Sequence, residues 1–216
     1  MARLVWDNAG ERLFETGVKN GVLYVQDEDG TYMDGVVWNG LTAITESPSG
    51  AEETPLYADD IKYVVFYSNE EFGATIEAYT YPEEFEQCDG SAQLGAGVTV
   101  GQQARRSFGL VYKTAIGNDI QGQDLGYKIH IIYGAKAAPS EKAYATINDS
   151  PEAITFSWEL STVPVNVAGL KPTSTVVIDS TKCNSETLAI IEDKLFGSDE
   201  EEAQLLLPDE IKALLG

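Results

Sequence analysis

Ile154-Thr-Phe-Ser-Trp-Glu-Leu160 has the strongest strand pattern in this sequence. Apolar residues occupy every second position, and Thr155, Ser157 and Glu159 lie between them. Successive side chains point to opposite faces of a strand, so this pattern predicts one buried and one solvated face. Such a strand is typical of an antiparallel sheet that covers a core on one side.

Strand signals recur along most of the chain. Runs rich in Val, Ile, Tyr and Phe predict further strands, and these cover residues 21–26, 31–38, 61–67, 74–81, 107–115, 127–133, 143–147 and 173–179. Asp29-Gly30 predicts a hairpin turn between the first two. Pro82–Cys88 predicts one helical turn, because Pro is tolerated at a helix start. The Gly-rich residues 89–106 predict a connection. The fold class is therefore mainly β, an antiparallel sandwich or barrel with a short flanking helix.

The pattern changes near residue 180. Leu188, Ile191 and Leu195 recur at helical spacing, with Ser185 as the predicted N-cap and Gly197 just past the helix end. Ser198-Asp-Glu-Glu201 has the capping-box pattern, and Pro208–Leu215 predicts a last short helix. We therefore divide the chain into a β domain, residues 1–180, and an acidic helical segment, residues 181–216. Eight of the acids lie close together in that segment, at Glu192, Asp193, Asp199, Glu200, Glu201, Glu202, Asp209 and Glu210.

The charge of the chain makes a nucleic acid an unfavourable partner. There are 35 acids and 14 bases, which give a formal net charge of −21. Tight nucleic-acid binding needs Lys and Arg to neutralise phosphates, so a nucleic-acid-binding role is disfavoured.

A signal peptide has an apolar core that the first residues lack, and no stretch approaches the roughly 20 apolar residues of a membrane span. We expect a soluble protein in which Cys88 and Cys183 are reduced thiols.

Each pattern that could carry chemistry has a simpler explanation. The single histidine, His130, lies within a predicted strand and is interpreted as structural. Asp27-Glu-Asp-Gly30 resembles the start of a calcium loop, but Tyr32 and Trp38 occupy the sixth and twelfth positions, where an EF-hand needs Gly and Glu. Gly95-Ala-Gly97 lacks the spacing of a dinucleotide fingerprint. Adjacent acids would point to opposite faces of a strand. We predict no catalytic, metal-binding or cofactor-binding residue, and no enzyme activity.

A long polar run, Glu46-Ser-Pro-Ser-Gly-Ala-Glu-Glu-Thr-Pro-Leu-Tyr-Ala-Asp-Asp60, separates two predicted strands. Connections of more than about 12–15 residues without structure of their own are usually functional or disordered. The run is followed by Thr75-Ile-Glu-Ala-Tyr-Thr-Tyr-Pro-Glu-Glu-Phe85. This order resembles the major tail tube proteins of long-tailed, siphovirus-like bacteriophages. Residues 101–114, 126–133 and 147–158 resemble further strands of that family, so the resemblance covers most of residues 20–180.

The resemblance implies a structural virion protein. Six copies would form a ring around a hollow core, and stacked rings would form the tail tube through which genomic DNA is ejected. The implied partners are other copies of the chain, the tape-measure protein, the tail terminator and distal tail-tip proteins, and DNA that passes without specific binding; no membrane is involved. The protein would be made in the host cytoplasm and end in the virion tail, with some of its acids facing the lumen.

The resemblance also identifies an arm, residues 41–62, as the contact between rings. Arg105-Arg106 is the only basic doublet, and in so acidic a chain we expect it to pair with a neighbour's carboxylates rather than with phosphate. The residues expected in self-assembly are Glu46, Ser47, Glu52, Glu53, Leu56, Tyr57, Asp59, Asp60, Arg105 and Arg106. We expect the 185–215 segment to pack on a neighbour or on the tube exterior.

Two alternatives stay open at this stage. A tube protein of a tailocin or secretion-like system would share the architecture and differ in what passes through. A monomeric acidic β-sandwich that binds a carbohydrate or calcium would use the 11 Tyr and 3 Trp residues as a stacking surface.

Overall fold

The computed structural model describes residues 3–147, 149 and 152–216. Within them the chain forms fourteen strands and three α-helices. The strands are β1 (Phe14–Val25), β2 (Val36–Trp38), β3 (Leu41–Glu46), β4 (Ser49–Gly50), β5 (Glu53–Ala58), β6 (Ile61–Tyr67), β7 (Glu70–Glu71), β8 (Gly73–Ala78), β9 (Ala92–Gly95), β10 (Val98–Val100), β11 (Phe108–Asn118), β12 (Gly122–Ala137), β13 (Phe156–Thr162) and β14 (Thr175–Asp179). The helices are α1 (Glu86–Asp89), which continues a 3-10 turn at Glu83–Phe85, α2 (Ser185–Phe196) and α3 (Pro208–Leu215).

One antiparallel sheet organises the molecule, in the order β2-β1-β11-β12-β13-β8-β3. The 16-residue β12 divides it, because residues 128–132 pair with β14 and residues 135–137 pair with β13. Asn39-Gly40 joins β2 to β3, the two ends of the strand order. The sheet is therefore curled, but among the described residues no ladder joins β2 to β3 and no barrel closes. The mainly β, antiparallel prediction is confirmed.

The first core fills the inside of this curl. Trp158 and Leu160 of β13 are buried with Ile76 of β8. The rings of Phe85 and Trp38 lie 4.5 Å apart, and those of Phe85 and Trp158 lie 5.0 Å apart. The alternation predicted for residues 154–160 is therefore confirmed in β13. The strand begins at Phe156 and not at Ile154, because Ile154 lies outside the ladder.

The second core lies on the opposite face of β1, β11, β12 and β14. The buried residues Leu188, Ile191 and Leu195 of α2 pack there with strand residues such as Ile129 and Ile131. The acidic helical segment is therefore a layer of the fold, packed on its own chain's sheet.

Several local predictions need correction. The N-cap of α2 is Asn184, whose side chain accepts a hydrogen bond from the Glu186 amide at 2.8 Å, and not Ser185. Ser198 accepts hydrogen bonds from the Glu200 and Glu201 amides, but no helix follows it. Residues 143–147 form no strand, and of residues 31–38 only 36–38 do. The Gly-rich connection contains the β9–β10 hairpin.

Candidate assembly surfaces

The predicted arm has structure of its own. Residues 41–46 form β3 of the main sheet, so the arm spans residues 49–71 and not 41–62. Its strands β5 and β6 pair antiparallel, and β4 pairs with β7 near its base. Asp59 and Asp60 form the tip with φ values of 51° and 63°. Two successive positive φ values are typical of a tight hairpin turn, and Asp tolerates that conformation better than most residues.

The arm exposes apolar side chains on both of its faces. The β5–β6 register pairs Leu56 with Val64 and Thr54 with Phe66 on one face, where Phe66 is 59% exposed. Tyr63 and Tyr67 lie on the other face, and Tyr63 is 72% exposed. No layer of the described chain covers either face, and a contiguous exposed apolar surface typically marks a contact with another molecule.

A polar cluster lies at the root of the arm. Glu46 ends β3 and accepts a hydrogen bond of 2.9 Å from the Tyr112 hydroxyl. The His130 ring stacks on the Tyr112 ring at 4.7 Å, and its Nε2 lies 3.0 Å from Thr114 Oγ1. Its Nδ1 lies 3.7 Å from Glu46 Oε1. Burial lowers the pKa of His130, while Glu46 and Glu15 oppose that shift. The stacking and packing of His130 support its interpretation as a structural residue.

Seven further residues expected in self-assembly lie on the arm or at its base, in three groups. The Ser47 amide donates to the Gly73 carbonyl at 2.8 Å and so ties the arm's base to β8. Glu52 is exposed near the start of β5, and Glu53 of that strand forms an ion pair with Lys62 of β6. Leu56, Tyr57, Asp59 and Asp60 are exposed toward the tip. The structure brings this set together on one projection.

The two arginines lie elsewhere and have partners within the chain. Asp89 is buried and accepts hydrogen bonds from Trp158 Nε1 at 3.0 Å and from Lys142 Nζ at 2.5 Å. Arg105 Nη1 lies 3.7 Å from the same carboxylate and donates to the Ala137 carbonyl at 3.1 Å. Arg106 lies 3.6 Å from Glu28. Arg105 and Arg106 therefore pair with carboxylates of their own chain. From the sequence we expected them to pair with carboxylates of a neighbouring subunit.

Sequence reasoning missed two features of these surfaces. Residues 53–58 were not predicted as a strand, because Glu53 and Pro55 are poor strand formers. The hairpin of β9 and β10 was also missed, although Val98-Thr-Val100 alternates with β-branched residues. Ala96-Gly97 between the two strands is a turn signal that could have found it.

The described residues show little that suggests small-molecule chemistry. No group of three His, Cys, Asp or Glu side chains among them is arranged to hold a metal ion. Cys88 is a buried free thiol whose pKa burial raises to about 12, and Cys183 is a free, half-buried thiol. Across the part of the chain that the structure covers, no helix has both the length and the apolar character needed to cross a membrane.

Comparison with known proteins adds one structural likeness. No protein-family model and no curated protein matches the sequence. Among solved structures, a chain of the cryo-EM structure of the anti-feeding prophage baseplate, symmetrised sixfold, is 6% identical in sequence. The alignment covers 81% of this chain and 97% of that chain, with a TM-score of 0.36. A likeness of this strength assigns neither a fold nor a function to this chain.

Proposed function

We propose that this chain is a structural subunit of a phage tail tube that assembles through its arm. The observation that carries the proposal is the β5–β6 hairpin, which exposes apolar side chains on both faces. An isolated two-stranded hairpin is marginally stable in water. Docking on another molecule would bury these side chains and hold the hairpin in place.

The second molecule is proposed to be another copy of the chain. A contact between the arm of one copy and a different surface of the next is heterologous. Repeated contacts of this kind produce rings when the rotation closes and filaments when it does not. Six-membered rings, their stacking into a tube and the passage of DNA follow from the resemblance to tail tube proteins. The tape-measure, terminator and tail-tip partners belong to the same proposal.

The acidic surface fits a conduit for DNA. A net charge of −21 repels phosphates, so acids on the lumen wall would prevent DNA from binding during ejection. If charge reversal of lumen-facing acids left ejection unchanged, this part of the proposal would be wrong.

The test compares two Tyr→Ser substitutions at similarly exposed sites. Tyr63→Ser lies on the arm, and Tyr144→Ser lies in a loop where the side chain is 76% exposed. Purified parent protein is concentrated and examined by electron microscopy and sedimentation velocity. We expect the parent and Tyr144→Ser to form rings or tubes of uniform width, and Tyr63→Ser to raise the concentration needed for assembly about tenfold, because it loses an apolar contact of roughly 1.5 kcal/mol.

Two outcomes would contradict the proposal. A parent protein that stays monomeric, even with a tail-tip complex added, would exclude a tube subunit; binding of an oligosaccharide by that monomer would then support the carbohydrate-binding alternative. Equal assembly of the parent and Tyr63→Ser would exclude the arm as the contact.

A further inference from the structure

The second exposed hairpin differs from the arm in its charge. Residues 90–104 contain no Asp, Glu, Lys or Arg, in a chain whose net charge is −21. They include β9 and β10, which pair antiparallel with Thr99 opposite Gln93 and Val100 opposite Ala92. Residues 93–104 are exposed. An uncharged projection on so acidic a protein needs an explanation other than solubility, which charge supports.

The two faces of this hairpin have different chemistry. Ala92, Val98 and Val100 share one face, since the pairing aligns Val100 with Ala92 and side chains alternate along β10. On that face Val98 is 52% exposed and Val100 is 38% exposed. The register shifts by one residue between Val98 and Thr99, which leaves Leu94 as the unpaired residue of a bulge, 75% exposed. Gln93 and Thr99 lie on the opposite, polar face. The hairpin is amphipathic, and the residues of its apolar face belong to neither core.

The base of the hairpin is held rigidly. The Gln103 amide donates to the Gly90 carbonyl at 2.9 Å, and the Arg106 amide donates to the Gln87 carbonyl at 3.0 Å. Gly90 has a φ of +80°, and a Cβ there would lie 3.0 Å from Arg105 Nε. Arg105 in turn is fixed by the Ala137 carbonyl and by Asp89. The apolar face is therefore presented from an ordered base, which lowers the entropy that is lost on binding.

We propose that the apolar face of the β9–β10 hairpin binds a second copy of this chain, at a contact distinct from the arm. The distribution of charge favours a second copy of the chain as the partner. Every copy carries the same excess of acids, and like charges brought face to face cost several kcal/mol. A surface without acids is where two such copies approach at the lowest electrostatic cost. The inference depends on the proposed function, in which copies of the chain assemble.

The test places the same charge on the two faces of the hairpin. Val98→Glu adds an acid to the apolar face, and Thr99→Glu adds one to the polar face of the same strand; Val98→Ile keeps the apolar face. Sedimentation velocity and electron microscopy measure the concentration at which each full-length variant assembles. We expect Val98→Glu to raise it at least about tenfold, while Thr99→Glu and Val98→Ile stay within about twofold of the parent. Thermal unfolding of the monomer should be unchanged, because Val98 contributes to neither core.

The outcomes separate this inference from the proposed function. If the parent assembles and Val98→Glu assembles equally well, the hairpin contact is wrong and the tube proposal is unaffected. If Thr99→Glu is as defective as Val98→Glu, the effect is one of net charge and the assignment of the apolar face is overturned. If the parent forms no assembly, the proposed function fails, and this contact between copies fails with it.

Discussion

The arm and the C-terminal helical segment have similar compositions and opposite structural fates. Residues 49–71 carry six acids and one base, and residues 185–215 carry nine acids and two bases. From their charge alone, both segments would be interpreted as solvated surface. Yet Ile191 and Leu195 of the C-terminal segment are fully buried, whereas Tyr63 and Phe66 of the arm are mostly exposed.

The difference lies in the spacing of apolar residues and in what each segment packs against. Leu188, Ile191 and Leu195 share one face of α2, so a single sheet covers all of them while the acids stay in water. The arm's apolar residues alternate between two faces, and a single core cannot cover both. Helical spacing in an acidic segment thus indicates a layer of the chain's own core, and two-faced alternation indicates a contact made elsewhere.

Removing one apolar side chain from each segment should have unequal effects on stability. Ile191→Ala should lower the free energy of unfolding by about 2–5 kcal/mol, because it removes buried methyl groups and leaves a cavity. Phe66→Ala should change it by less than about 0.5 kcal/mol, because its ring is exposed. Urea denaturation of the monomer, followed by tryptophan fluorescence, measures both. Equal losses would show that the arm is part of the folding unit.

A smaller effect tests how the C-terminal segment is attached. The buried Tyr133 hydroxyl donates to the Leu206 carbonyl at 2.8 Å, between α2 and α3. Tyr133→Phe should lower the free energy of unfolding by about 1 kcal/mol, because the hydrogen bond is lost and its acceptor stays buried.

Tyr63→Phe is the matched control on the arm, where the hydroxyl is in water, and it should have no measurable effect on unfolding. Amide hydrogen exchange in α3 should rise in Tyr133→Phe and not in the control. Unchanged exchange would mean that the hydrogen bond from Tyr133 to Leu206 does not hold α3 in place.

The sequence located the elements with strong local signals and missed others, such as β5, β9 and β10. The two C-terminal helices were placed to within a residue, because helical spacing and capping signals are local. Strand β13 was placed to within two residues, because the alternation of apolar residues is also a local signal. The division of β12 between β13 and β14, by contrast, depends on contacts between residues distant in the chain. Arg105 was expected to have a neighbour's carboxylate as its partner, because local patterns do not show that Asp89 lies beside it.

The smallest effect concerns the place where the arm joins the core, at His130 and Glu46. Burial holds the pKa of His130 below its ordinary value of 6.5, so below that pH the unfolded chain binds more protons than the folded one. The stability contributed by neutral His130 is therefore complete above pH 6.5 and is lost as the pH falls. Because the chain has one histidine, His130→Gln should weaken the fall in stability between about pH 7.5 and about pH 5.5. Urea denaturation of both proteins at the two pH values measures the difference. A steeper fall in the variant would mean that the attraction of Glu46 and Glu15 outweighs burial, so that the root of the arm is stabilised and not weakened by acid.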